Sequence, residues 1–410
     1  MNKMFPKDVD KNCQDFTNFV EPKIRERLNI VIGIIAVNQK IIRHKALNQK
    51  CFTIKGIKYF IGTDPYQKKE FAKVFLNASF PCNILNRKID FSPLLGKVNL
   101  SDDYQKDFPN IDKYIYLATN LKSIISSKLN LILNKYDPFL TGQIAGISKA
   151  EKLLISQIFC YSEFFQTPNS KWYYGLNFAK ALNITICPYC NRSDIKSTFD
   201  VNGTKITGPT IDHFLLQSDY PFLVMSFYNL VPSCFDCNTK LKHEKKFDLI
   251  HFLYPFEDSI ENCARFKIYQ NDLEVKNKLT STNDLKVKIE CIIPNTDARF
   301  LKLYGNANPK HDQNKGTLNV FQTEEIYNQK NLGNAEILID KHQTYPKTYV
   351  DSIFKSMLED QGLSKKKAYR VYYEAELHEE NFNDMSLSRF KRDLNIQLNE
   401  IYGYDHTKID

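Results

Sequence analysis

No apolar run in this 410-residue chain reaches the ~18 residues that a membrane-spanning helix needs. The longest candidate, Ile30–Val37, is too short, and Lys40, Arg43 and Lys45 follow it. No apolar stretch stands behind the N-terminal Met1-Asn2-Lys3-Met4-Phe5-Pro6-Lys7-Asp8, so a secretory leader is not expected. Internal repeats and low-complexity tracts are also missing. With 42% hydrophobic and 25% charged side chains, wholesale disorder is excluded. The reading is a non-membrane, cytoplasmic protein of two or three domains.

Charge is unevenly placed. Residues 1–150 hold 24 Lys+Arg against 13 Asp+Glu, while the rest holds 32 against 34. A basic excess on one part of the chain is what a polyanion-binding surface needs, although many proteins carry such a bias without that role.

Of the ten cysteines, Cys13, Cys51, Cys82, Cys160, Cys263 and Cys291 stand singly and read as small buried hydrophobes. The other four form two Cys-x-x-Cys pairs, Cys187/Cys190 and Cys234/Cys237. Two residues between the sulfurs of each pair let both turn toward one ion, and four thiolates close a tetrahedral zinc site. A redox-active pair is the rival reading, but the expected βαβ context is missing and the second pair would go unexplained.

Periodicity gives the frame. Apolar residues Ile24, Leu28, Val31, Ile35 and Ile41 predict a helix over 20–47, opened by Glu21-Pro22. Residues 51–61 alternate around Gly56 and predict a strand or tight hairpin. A short helix is expected over 66–75 and irregular chain over 78–110. Tyr114, Leu117, Leu121, Ile124, Ile125 and Leu129 predict a helix over 110–135 with a buried stripe. Further helices are expected over 146–166 and 171–182, with Trp172-Tyr173-Tyr174 as packing residues. Strands are expected in 263–294, and helices over 322–400, broken near Pro346 and Gly362. The expected class is α+β. The expected domains are a basic helical region (1–165), a cysteine-bearing unit (166–260), a β-rich segment (261–320) and a helical C-terminal region (321–410).

Between the cysteine pairs lie Ile211-Asp212-His213-Phe214 and Tyr228-Asn229-Leu230-Val231-Pro232-Ser233. Asn238 directly follows the last cysteine. Thr210–Phe214 and Leu230–Ser233 can pair as a hairpin, with a helix beginning at or just before Asn238. A carboxylate, an imidazole and an amide oxygen can then converge. Oxygen ligands from Asp212 and Asn238 suit Mg²⁺, and a neutral imidazole at His213 can take a proton from water. That is a minimum kit for metal-assisted phosphodiester hydrolysis.

These residues resemble the HNH (His-Me finger) endonucleases in their zinc-knuckle form. The stretch from Ile211 to Lys242 is similar to HNH nucleases of bacterial anti-phage systems, some of which, as in Septu-like systems, work beside an ATPase. The resemblance covers 187–245 and implies a zinc-stabilised ββα-metal unit, treble-clef-like, between helical regions. It implies His213 as general base, Asp212 and Asn238 as ligands of a catalytic Mg²⁺ or Mn²⁺, and Asn229 as the residue that holds the loop. It implies Cys187, Cys190, Cys234 and Cys237 as structural zinc ligands. The family's usual Pro three residues after the base is Leu216 here, and the Lys that often follows it is Gln217. The implied activity is cleavage of DNA, with RNA cleavage or binding without cleavage as alternatives. Lys240, Lys242, Lys245 and Lys246 on the expected helix, and Arg192 past the first knuckle, are candidate phosphate contacts. A solvated basic helix face would look the same. His251 reads as structural, within possible reach of the site.

Overall fold

The computed structural model describes residues 8–38, 111–140, 175–202, 205–306 and 315–404. Elsewhere it describes residues 3, 4 and 6, the strand pairs 52–54/57–59 and 81–82/87–88, and residues 155–156 and 158–165. The expected helix over 66–75, most of the irregular stretch 78–110 and Trp172-Tyr173-Tyr174 lie outside the described residues. So do parts of the helices expected over 146–166 and 171–182. The architecture is mixed helix and small sheets, the α+β class expected. No described helix is long and apolar enough to cross a membrane.

The chain divides into two compact units: Met1–Lys7 with Phe178–Phe214 and Val231–Asp410, and Asp8–Asn177 with Leu215–Leu230. The expected 166–260 segment is therefore shared, since 215–230 belongs with the N-terminal half.

The N-terminal unit is built on a 30-residue helix, Val9–Asn38, against Ile111–Ser126. The helix begins eleven residues earlier than the sequence predicts, and Pro22 lies inside it rather than opening it. A proline there removes one backbone hydrogen bond. Burial offsets that loss: Phe16, Val20, Ile24, Leu28 and Val31 form one fully buried stripe running past the proline on both sides. The predicted stripe of the partner helix is buried throughout, from Tyr114 to Ile125, with Leu129 beyond the break at Ser127. Arg27, also buried, pairs with Glu163 and donates to the Ile158 carbonyl at 3.1 Å. Phe52–Ile54 pairs antiparallel with Ile57–Tyr59, the tight hairpin expected around Gly56.

The larger unit centres on an antiparallel sheet in which Ala264–Gln270 lies between Leu285–Cys291 and the short Leu273–Glu274. Phe266, Ile268, Leu285 and Val287 point into a core with Tyr327, Leu338, Phe390, Leu394 and Leu398. Those residues come from the helices Thr323–Thr344 and Ser388–Tyr402. The predicted breaks are present: Pro346 caps Lys347–Lys355, and Gly362 has a positive φ before Lys365–Tyr373 begins. Helix side chains complete the strand hydrogen bonding. Gln397 accepts from Ile268 N at 2.7 Å and donates to the Val275 carbonyl at 2.8 Å. Asn328 does both for Val287, each at 2.7 Å. Buried strand groups left unpaired would each cost about 1–3 kcal/mol.

A buried ion network fixes the last helix. Arg392 bonds Glu261 at 2.8 Å and Asp393 at 2.7 Å, and Arg389 lies 3.6 and 3.5 Å from the same two carboxylates. Burial alone would raise the Glu261 carboxyl, but the two guanidiniums overcome it and hold it below its usual value. Asp393→Asn leaves two buried guanidiniums sharing one carboxylate. It should cost about 3–5 kcal/mol, read as a lowered urea midpoint with an unchanged denaturant slope.

Candidate metal site

The four paired cysteines come together. Their sulfurs lie within 4.8 Å of one another, and they are the only such ligand group among the described residues. Tight backbone turns arrange them. Asn191 N donates to the Cys187 carbonyl at 2.8 Å in the first pair, and Asn238 N to the Cys234 carbonyl at 3.0 Å in the second. The first turn is seated on the C-terminal helices. Tyr327 donates to the Cys190 carbonyl at 2.7 Å, and Asn191, in a left-handed conformation, bonds Phe382, Leu387 and Arg389.

Burial drives the Cys187 thiol well above its ordinary value, and hydrogen bonds among the thiols raise Cys237 while lowering Cys190 and Cys234. Four thiolates this close repel one another in a buried pocket, and a divalent cation removes that repulsion. The donor set is therefore one that could hold zinc.

The second cluster is built on the paired strands Thr210–His213 and Leu230–Ser233. Asp212 is buried, and each of its carboxylate oxygens has a partner. Tyr189, inside the first cysteine turn, donates at 2.5 Å, and the Lys242 ammonium at 2.8 Å. Lys242 also donates to the His213 carbonyl at 2.7 Å. Burial first, and then the Asp212 charge, pushes the Tyr189 phenol well above its ordinary value, so it stays a donor. Tyr189 stacks on Phe321 with ring centroids 4.7 Å apart. His213 and Asn238 are half-buried.

One expected nucleic-acid contact is corrected here. Lys242 is fully buried and paired with Asp212, so it is not a surface phosphate contact. The helix that carries Cys237, Asp236–Lys242, is a π-helix closed by His243 N to the Asn238 carbonyl at 2.9 Å. Lys242, two residues from the exposed Lys240, lies on the opposite, inward face. Arg192 lies largely buried 4.0 Å from Asp236, and Lys240 bonds the same carboxylate at 2.9 Å. Lys245 is half-buried, and Lys246 is exposed.

Asn229 lies in the other unit and is fully buried. It accepts from Leu215 N at 2.7 Å and donates to the carbonyls of Leu215 at 3.2 Å and Leu223 at 3.1 Å. It pins the loop that follows Phe214, and all its amide bonds go to backbone.

Sequence reasoning missed Tyr189 as a partner of Asp212, although a tyrosine inside a buried cysteine turn must send its hydroxyl somewhere. It also missed Asp248 beside His251, whose Nδ1 lies 2.9 Å from that carboxylate.

No family model, no curated protein and no solved structure matches the chain.

Two outcomes are expected. The purified protein should carry about one zinc per chain, measured by inductively coupled plasma mass spectrometry, and Cys187→Ser or Cys237→Ser should abolish it. Lys242→Met should strand a buried carboxylate and cost about 3–5 kcal/mol in urea unfolding, whereas Lys240→Met should stay within about 0.5 kcal/mol of wild type.

Proposed function

We propose that this chain is a metal-dependent endonuclease of the HNH type, acting on DNA. The observation that carries the reading is the placement of Asp212-His213. The pair lies on a short strand held to the first cysteine turn through Tyr189 and to the end of the second cysteine segment through Lys242. A finger that used its cysteines only to bind would have no need of that imidazole.

Asp212 and Asn238 would hold a catalytic Mg²⁺ or Mn²⁺. The carboxylate accepts one hydrogen bond on each oxygen and keeps a second lone pair on each, so its donor chemistry fits a hard cation. Bound there, the cation would supply Lewis-acid stabilisation of charge on the scissile phosphate. His213 takes the proton from the attacking water. Tyr189 and Lys242 fix the Asp212 rotamer, and the Lys242 bond to the His213 carbonyl fixes the strand end that carries the base. Asn229 holds the loop beyond it. An anti-phage role and an ATPase partner rest on the family resemblance alone.

One observation favours a second reading, a zinc-held nucleic-acid or partner-binding module that does not cleave. The Lys242 ammonium already neutralises Asp212, which weakens the attraction of that carboxylate for a cation.

A supercoiled-plasmid nicking assay separates the two. Wild type should nick in Mg²⁺ and not without it, and His213→Ala should slow nicking by about 10²–10⁴-fold with zinc content unchanged. Equal nicking by His213→Ala overturns the assignment of the base. A folded, zinc-loaded wild type that cleaves neither plasmid DNA nor RNA overturns the nuclease reading in favour of the binding module.

A further inference from the structure

Beside the π-helix lies a cavity of about 820 Å³, within the size range of small-molecule sites. His213 and Asp212 are not among the residues lining it. Its wall is formed by Lys240, Leu241 and residues 243–246, then Asp248, His251 and Phe252, and is completed by Gly305 and Lys315. Four lysines and two carboxylates, Glu244 and Asp248, line it; with Lys240 already paired to Asp236, the balance is still cationic.

Two groups in it are left with unused capacity. The Asp248 carboxylate accepts from the backbone N of Ile250 at 2.7 Å and of His251 at 2.6 Å, and holds His251 Nδ1 at 2.9 Å. That bond orients the ring and leaves Nε2 without a hydrogen-bond partner among the described residues. The Lys245 ammonium donates to the Leu241 carbonyl at 2.8 Å and has no carboxylate partner among the described residues. Burial pulls it below the ordinary lysine value, the mark of a partly desolvated charge that an anion would relieve.

The far wall is backbone. Gly305, at φ +80°, meets Lys315 and Gly316 so closely that a Cβ would fall 2.3 Å from Lys315 Cβ. No side chain fits at Gly305, so backbone itself forms that part of the wall.

We propose that this cavity is a phosphate-ester binding site, with Lys245 and His251 Nε2 as its two principal donors and Lys240 and Lys315 adding positive charge. Its ligand is either a phosphate of a nucleic-acid strand or the phosphate of a free nucleotide. The inference stands apart from the nuclease reading, because binding is measured without turnover.

The test is fluorescence anisotropy of a labelled single-stranded DNA oligonucleotide with the full chain, in magnesium-free buffer without chelator so that any bound zinc is retained. Lys245→Met and His251→Ala should each weaken binding about tenfold or more, as expected for a lost hydrogen bond to a charged group. His251→Gln serves as a second variant, and circular dichroism confirms the fold of each. Lys276→Ala, whose lysine is exposed and pairs with Glu274 outside the cavity, should bind as wild type. Unchanged affinity in the Lys245 and His251 variants overturns the site. AMP that displaces the oligonucleotide from wild type but not from the cavity variants assigns the site to a nucleotide. AMP that does not compete assigns it to the strand backbone. Adenosine competing as well as AMP overturns the phosphate assignment. Loss of plasmid nicking bears on the nuclease reading only, so the two fail separately.

Discussion

A buried carboxylate needs compensation, and the compensation of Asp212 organises the region around it. Its phenol partner lies inside the first cysteine turn, and its ammonium partner lies five residues beyond the last cysteine. One side chain therefore joins both cysteine segments to the strand between them. Taking a carboxylate and an ammonium out of water costs several kcal/mol per ion, recovered only where geometry and further hydrogen bonds are good. Both conditions hold: Tyr189 takes the second oxygen of Asp212, and the His213 carbonyl takes a second proton of Lys242. The cysteine cluster and the Asp-His strand are thus interdependent, and the arrangement resists partial rearrangement.

The seat of this region is supplied from far along the chain. Asn191 bonds residues near 382–389, and Tyr327 bonds Cys190. The same C-terminal helix that receives Asn191 is locked to the sheet by Gln397 and to Glu261 by Arg392. Stability of the helices is therefore a condition for the geometry of the cysteine turn. The 43 residues separating the cysteine pairs need not hold that geometry by themselves.

How much of this was legible in the sequence depends on the physics of each signal. Stripes such as Tyr114–Ile125 and the alternating ARFKIYQ were legible because periodicity reports burial directly. The four cysteines were legible because their spacing is set by ligand geometry. Pro22 misled because a local rule about helix starts was outweighed by a stripe that buries residues on both sides of it. Lys242 misled for a different reason. Lys240, Lys242, Lys245 and Lys246 read as one exposed basic run, yet residues two apart on a helix, such as Lys240 and Lys242, point to nearly opposite faces. A π-turn adds one residue to the loop closed by each hydrogen bond and rotates the residues beyond it, and no residue in Asp236–Lys242 announces that. The Asp248–His251 pair was hidden because an ordinary turn, not a periodic element, brings the two together.

The π-helix also explains how one basic run meets two electrostatic needs. Its last residue, Lys242, faces inward, where its charge is cancelled by Asp212 in a setting that excludes water. Lys240 and Leu241 remain on the wall of the neighbouring cavity, and after the strained His243, at φ +44°, the chain brings Lys245 and Lys246 to the same wall. A non-glycine residue at that φ costs on the order of 1–3 kcal/mol and persists only where surrounding contacts impose it. Here the imposing contact is the His243 N bond to the Asn238 carbonyl that closes the π-turn. The strain at His243 is thus borne directly after the segment that seats Lys242 against Asp212.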